Sequence, residues 1–407
     1  MRVVVSLLIG LFSANLSVQA ESFKVAAAAT PITPPVGTYL AGYGADRKST
    51  GVFDDVWIKV VVIEAGSGTV ALVTIDCIGL TRPHILRIQA GVKSQLPRVH
   101  VVVSSTHTHA GPDVVGIWGP AFWRSGRDEV YIDRLVSAAI ELVVQTANAV
   151  QPATSRVASV DMPMPWVENV SERDLLDARL AVLQFVSMAG ETIATLTNYA
   201  CHPTVLGPDN TLVSADYVDG FYRQMAENLA GEHLFLQGAI GGWVQPVQGD
   251  RSKSLALQLG MSLADAALAA LSEADDNAYA PLQFASRSFD VPLDNWGFRL
   301  LIWLGVLERE LYDGAMRTSV AWFQIGQAQF VTHPGETSPA YSLASRDLLD
   351  ARHSFVLGLT QDAMGYILKP EYFADDVEYP HGSYLTSVSA GAEAGPRVMA
   401  ALKEILP

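Results

Sequence analysis

Residues 98 to 113 read Arg98-Val99-His100-Val101-Val102-Val103-Ser104-Ser105-Thr106-His107-Thr108-His109-Ala110-Gly111-Pro112-Asp113. A β-branched run leads into two alternate histidines and then a Gly-Pro break. The run predicts a buried strand, and a polar turn after such a strand is how an open sheet presents side chains at its carboxyl edge. Two imidazoles two residues apart on extended backbone point the same way. Imidazole is the commonest metal ligand and shuttles protons near neutral pH. The stretch therefore reads either as a metal or acid/base site or as two histidines hydrogen-bonded in a turn.

Three further strands end in residues of the same kind. The apolar run 192–200 leads into Cys201-His202-Pro203-Thr204, 328–331 into Thr332-His333-Pro334-Gly335-Glu336, and 355–359 into Thr360-Gln361-Asp362-Ala363-Met364-Gly365-Tyr366. One polar strand end is ordinary, because strands meet loops and loops are polar. Four that share a sheet edge permit a zinc site with three or four nitrogen and oxygen donors and room for a water. Spacing alone does not choose the ligands.

Around these strands the periodicity alternates. Strands 59–64 and 69–75 flank Ala65-Gly66-Ser67-Gly68 as a hairpin, a helix is predicted over 83–96, and a long amphipathic helix over 129–150. A second hairpin joins 180–186 to 192–200. Helices at 215–230, 253–271, 339–349 and 396–406 and strands at 233–237, 282–291 and 320–331 complete the pattern. Hairpins mixed with strand-helix units predict an α/β fold, with mixed β-sheets flanked by helices and the site at the carboxyl ends of the strands.

Composition narrows the function classes. Residues 1–20 have a charged start, an apolar stretch and a Val18-Gln19-Ala20 ending, the pattern of a secretory signal peptide. Its removal takes away Arg2 and moves the formal charge from −15 to −16, against nucleic acid and against adhesion to anionic lipid. Residues 21–407 show no linker, repeat or low-complexity tract, which predicts one domain. No later stretch reads as a transmembrane segment, so the expected location is secreted or periplasmic. Cys77 and Cys201 read either as a disulfide, which an extracytoplasmic location permits, or as two buried free thiols, the favoured of the two. The chain lacks a His-Glu-x-x-His helix, a Gly-x-Ser-x-Gly elbow and a phosphate loop.

At this point the chain resembles the neutral/alkaline ceramidase family, secreted zinc amidohydrolases that split ceramide into a fatty acid and sphingosine. Ser105-Thr106-His107-Thr108-His109-Ala110-Gly111-Pro112 is similar to the family's [AS]-T-H-T-H-[SA]-G-P. Asn198-Tyr199-Ala200-Cys201-His202-Pro203-Thr204, Pro334-Gly335-Glu336, Met364-Gly365-Tyr366 and Glu378-Tyr379-Pro380-His381-Gly382-Ser383 follow in the family's order. The resemblance implies His107, His202, Glu336 and Tyr366 as ligands of one Zn2+ per chain. It implies His109 and Tyr379 as catalytic groups facing the water and the substrate carbonyl. Zinc lowers the pKa of a bound water to about 7 and polarises a carbonyl, as amide hydrolysis requires. The implied domain is the catalytic one, without the C-terminal immunoglobulin-like domain of better-known members.

Some positions depart from the family pattern. In Gly242-Trp243-Val244-Gln245-Pro246, Gln245 takes the place of a family serine, and Phe53 in Gly51-Val52-Phe53 replaces a family histidine. An arginine of the family aligns loosely near Asn169-Val170-Ser171-Glu172-Arg173. These differences bear on the substrate more than on the metal. The most apolar part of the chain, 295–307, has the length of a buried or interfacial helix, the buried core being the ordinary case. Its functional reading is a wall or lid of an acyl pocket in transient contact with a membrane surface. The expected function is hydrolysis of a lipid-like N-acyl amide. A zinc amidase or esterase for another acyl substrate, or a non-catalytic lipid-binding protein of the same fold, are the alternatives.

Overall fold

The computed structural model describes residues 22–247, 249–374 and 378–407; the leader expected over 1–20 lies outside them. The first half of the fold runs β1 (Phe23–Pro31), β2 (Trp57–Ala65), β3 (Gly68–Ile75), α1 (Arg82–Gln95), β4 (Val99–Ser105) and α2 (Glu129–Ala147). The second half repeats that order: β5 (Gln151–Asp161), β6 (Arg179–Ser187), β7 (Thr192–Tyr199), α3 (Tyr217–Asn228), β8 (Glu232–Gln237) and α4 (Lys253–Ser272). In each half an antiparallel hairpin is followed by a helix that crosses to a parallel neighbour, β3 to β4 and β7 to β8. The halves join antiparallel through β1 and β5, giving the order β8-β7-β6-β5-β1-β2-β3-β4.

Strand twist accumulates across this order, and the sheet folds over so that β8 lies against β2, β3 and β4. Its inner face buries Val61, Ile63, Leu72, Val102, Leu183, Leu196 and Leu234. Its outer face buries Val60, Val62, Val73 and Val103 under Ile132, Val143, Phe221 and Leu263 of the helices. Both faces of β2 to β4 are thus covered, which is why those strands are apolar at successive positions rather than alternate ones. Helix starts are set locally: the Asp128 carboxylate accepts from the Val130 and Tyr131 amides, and Ser252 Oγ from the Leu255 amide.

The chain continues through β9 (Gln283–Pro292), α5 (Trp296–Trp303), β10 (Ala315–Ile325), β11 (Ala328–Thr332), α6 (Pro339–Leu349), β12 (His353–Leu357), α7 (Gly382–Ser387) and α8 (Ala394–Lys403). Strands β9 to β12 form a second mixed sheet in that order, with α6 crossing between the parallel pair β11 and β12. Phe323, Phe330 and Phe355 extend the inner core of the first sheet. Asn198 ties the sheets together: its Nδ2 donates to Leu236 O and Val356 O at 2.9 and 3.1 Å, and its Oδ1 accepts from Val356 N at 3.1 Å.

The mixed α/β architecture expected from the sequence is present, with four differences. The central strands β1 and β5 had not been expected. The predicted strand 320–331 is two strands, turned at Gly326 with φ +59°. Helix α4 is long and apolar enough to cross a membrane by length and composition, contrary to the sequence reading. It packs on α3 instead, so closely that a Cβ on Gly260 would lie 1.9 Å from Tyr217 O. Finally, 295–307 is not a buried core helix: within α5 only Phe298 is buried, and Trp296 and Trp303 are 77% and 80% exposed.

Candidate metal centre

Strand β4 ends at Ser105, and the Ser105 and Thr106 amides bond to Leu359 O and Ile75 O. His107 then takes φ +71°, a left-handed conformation unusual for a residue with a bulky side chain. The sequence reading placed both histidines on extended backbone; here this left-handed turn intervenes. The two rings nevertheless meet, with centroids 4.8 Å apart. His107 Nδ1 donates to Ile78 O, which leaves Nε2 for the site.

His202 follows β7 and arrives by the same device. Its Nδ1 donates to Val244 O at 2.8 Å, and its ring lies 4.9 Å from that of His107. Glu336 follows β11, and its Oε2 lies 3.1 Å from His202 Nε2 and 3.4 Å from His107 Nε2. Tyr366 is the register partner of Glu336 on a two-residue parallel ladder, Glu336–Thr337 beside Tyr366–Ile367. The four residues assigned as ligands by resemblance thus come from four strand ends and converge.

His109 stands beside them. It forms with His107 and His202 a trio in which one ring nitrogen of each lies within 4.8 Å of the others, and among the described residues neither of its own nitrogens has a hydrogen-bond partner. Burial, then the neighbouring imidazoles, hold its pKa well below the usual histidine value, so the ring is neutral. Arg47 Nη2 donates to His109 O at 2.6 Å, and Tyr43 meets the ring edge-on at 5.0 Å. Gly42 must be glycine, because a Cβ there would fall 2.4 Å from His109 Cγ.

The donors fit zinc. Among the described residues buried His107 Nε2 has no well-formed hydrogen bond, Glu336 Oε2 standing 3.4 Å away, and both ligand-type histidines are oriented through Nδ1 by backbone carbonyls, as metal-binding histidines usually are. Burial alone would raise the Glu336 carboxyl, but the two imidazoles prevail and hold its pKa below the ordinary value. Burial and the Glu336 charge raise the Tyr366 phenol.

An apolar cleft opens beside the centre, lined by His107, His109, Glu336 and Tyr366 and by Ile117, Trp118, Phe298, Leu307, Met364 and Tyr384. A few convergent polar groups in an apolar cleft describe a small-molecule site. Tyr379, expected to face the substrate carbonyl, is not among the lining residues. Its ring stacks on Tyr372 at 3.8 Å, with Lys369 above it. Tyr384 is a second phenol on that wall beside Tyr366, and the sequence reading passed over it. His333 and Asp362, also at strand ends, serve the fold. His333 Nε2 bonds to Ser345 Oγ at 3.0 Å, and Asp362 forms a buried bidentate pair with Arg309. Cys77 and Cys201 are buried and unbridged.

Three comparisons bear on this geometry. A neutral ceramidase of Drosophila melanogaster is 29% identical over 237 residues, which is 53% of this chain and 32% of that protein. A neutral ceramidase of Pseudomonas aeruginosa is 24% identical over 198 residues, 44% of this chain and 29% of that protein. The matched stretch is thus about a third of the length of these relatives. The crystal structure of neutral ceramidase from Pseudomonas aeruginosa superposes with a TM-score of 0.76 at 18% identity, covering 95% of this chain and 75% of that one. A ceramidase complexed with C2 gives 0.78 at 16% identity, with the same coverages. These structures share the fold. Residues 23–260, more than half of the chain, match the N-terminal domain model of neutral/alkaline non-lysosomal ceramidases, and the chain belongs to that family.

Proposed function

We propose that residues 21–407 form one zinc-dependent hydrolase domain that cleaves the N-acyl bond of a ceramide-like lipid. The observation that carries this reading is the convergence of His107 Nε2, His202 Nε2 and Glu336 Oε2 at one corner of an apolar cleft. His107, His202, Glu336 and Tyr366 would hold one Zn2+. Bound there, zinc supplies Lewis acidity that acidifies a water and polarises the amide carbonyl.

This chain's own residues do the rest. Ile117, Trp118, Phe298, Leu307 and Met364 take the acyl chain and keep water from the amide. Neutral His109 accepts a proton from the attacking water as its oxygen bonds to the carbonyl carbon. The same imidazole returns that proton to the nitrogen as the C–N bond breaks, so a fatty acid and an amine leave. Tyr384, on the cleft wall, donates its hydroxyl hydrogen bond to the carbonyl oxygen as negative charge develops there.

The same reading gives α5 a role. Phe298 faces the cleft while Trp296 and Trp303 project outward, so 295–307 would make transient contact with the membrane surface that holds the substrate. A secreted or periplasmic protein meets such a surface from outside the cytoplasm. The test is a panel of N-acyl lipids and acyl esters incubated with zinc-loaded protein and with His107→Ala. The expected result is release of fatty acid from N-acyl sphingoid lipids by the first and none by the second. No turnover of any amide by zinc-loaded protein would sink the proposal.

A further inference from the structure

Gly242-Trp243-Val244-Gln245-Pro246 is one of the stretches in which this chain departs from the family pattern, and the structure brings it to the metal centre through a residue other than Gln245. Gln245, at the family serine position, lies on a short ladder opposite Glu168 and does not line the cleft. Trp243 Nε1 donates to Tyr366 Oη at 2.8 Å. Trp243 has φ +60°, a left-handed conformation that a bulky residue adopts only when its surroundings hold it there. His381 packs on the indole at 4.3 Å and Tyr384 at 5.5 Å. The backbone is bound as well: the Val170 amide donates to Trp243 O at 3.2 Å.

A phenol hydroxyl can accept and donate. With the indole N–H occupying one acceptor position of Tyr366, the hydroxyl keeps a second lone pair and its proton on the side of the metal centre, where the parallel ladder sets Glu336 beside it. The chain of contacts runs from Trp243 through Tyr366 to Glu336 and on to His202 and His107.

We infer that Trp243 is a positioning residue of this chain, fixing the Tyr366 oxygen toward the metal centre through its indole N–H and packing against the Tyr384 ring on the cleft wall. This rests on Tyr366 being a zinc ligand. Removal of an outer partner of a metal ligand lowers metal affinity about 10- to 100-fold. W243F keeps an aromatic ring and removes the N–H donor.

The test measures zinc affinity by chelator competition, and the visible spectrum of the cobalt(II) form, for wild type, W243F, Y366F and the double variant. W243F should bind zinc about tenfold or more weakly and alter the cobalt spectrum. In the Y366F background the tryptophan change should add nothing, which a merely structural role would not produce. Thermal unfolding of the metal-free proteins separates misfolding from this effect; if W243F unfolds, W243H, which keeps an N–H donor, should restore affinity where W243F does not. Equal zinc affinity in wild type and W243F would overturn the role of Trp243 alone. Wild-type protein that binds no zinc would overturn the metal reading and this role together.

Discussion

Glu336 and Tyr366 face each other as register partners on a two-residue parallel ladder, so a carboxylate and a phenol from separate loops are set side by side by backbone pairing. The Glu336 amide is fixed as well, donating to Gly365 O at 3.1 Å. Glu336→Gln keeps the shape and removes the charge that faces His107 and His202. It should weaken zinc binding by more than the about 10- to 100-fold that loss of a ligand's outer partner costs, and abolish turnover, measured by competition and by fatty acid release. Retained zinc and retained activity would remove Glu336 from the centre.

His109 separates two roles that geometry alone brings close together. As the proton carrier, His109→Gln should lower kcat by about 10²- to 10⁴-fold while about one zinc per chain is retained. Loss of the metal in that variant would make His109 a ligand instead.

Tyr384 and Tyr379 make opposite predictions. With Tyr384 on the cleft wall and Tyr379 stacked on Tyr372, Tyr384→Phe should lower kcat about 10²-fold, the usual loss for one oxyanion donor. Tyr379→Phe should change it by only a few fold. The reverse order would show that the loop around Tyr379 turns into the cleft when substrate binds.

The exposed rings of α5 predict an interfacial effect. Replacing Trp296 and Trp303 together by Ala should weaken binding to neutral vesicles several-fold and raise KM for substrate presented in them. The kcat for a short, water-soluble N-acyl substrate should stay unchanged. Vesicle sedimentation and the two kinetic assays measure this, and equal vesicle binding by wild type and variant would contradict it.

Stability should fall in mild acid through His333. Burial, then the positive Arg346, lowers its pKa from 6.5 to about 4. Between those values the unfolded chain binds more protons than the folded one, so stability is complete above about 6.5 and is lost as pH falls toward 4. His333→Gln, which can still reach Ser345, should flatten this slope in urea titrations at pH 7, 5.5 and 4.5. An unaltered slope would assign the acid sensitivity to other groups.

Much of the site was legible because its residues sit where apolar strands stop. His107, His202 and Glu336 could be marked from strand ends, though only the family resemblance separated them from His333 and Asp362, which occupy equivalent positions and hold the fold together. Tyr366 stood in the polar stretch after the strand 355–359, but only the resemblance separated it from an aromatic packed in a loop. The two central strands escaped notice for physical reasons. Lys24-Val25-Ala26-Ala27-Ala28-Ala29-Thr30 and Gln151-Pro152-Ala153-Thr154-Ser155-Arg156 are poor in β-branched and aromatic residues, and pairing on both sides holds them in the sheet. The duplicated order of strands and helices was equally silent, since contacts repeat where residues do not. Trp243 was visible only as a departure from a motif, and its bond to Tyr366 spans a separation that no local pattern records.

The central claim is that metal held by these strand-end residues drives amide cleavage. Its most direct measurement is to strip the purified protein of metal, titrate zinc back, and follow fatty acid release from an N-acyl sphingoid lipid at each step. The account predicts no release without metal and activity that rises to a plateau at about one zinc per chain, with His107→Ala flat throughout. Full activity in metal-free protein, or none at any zinc ratio, would contradict it.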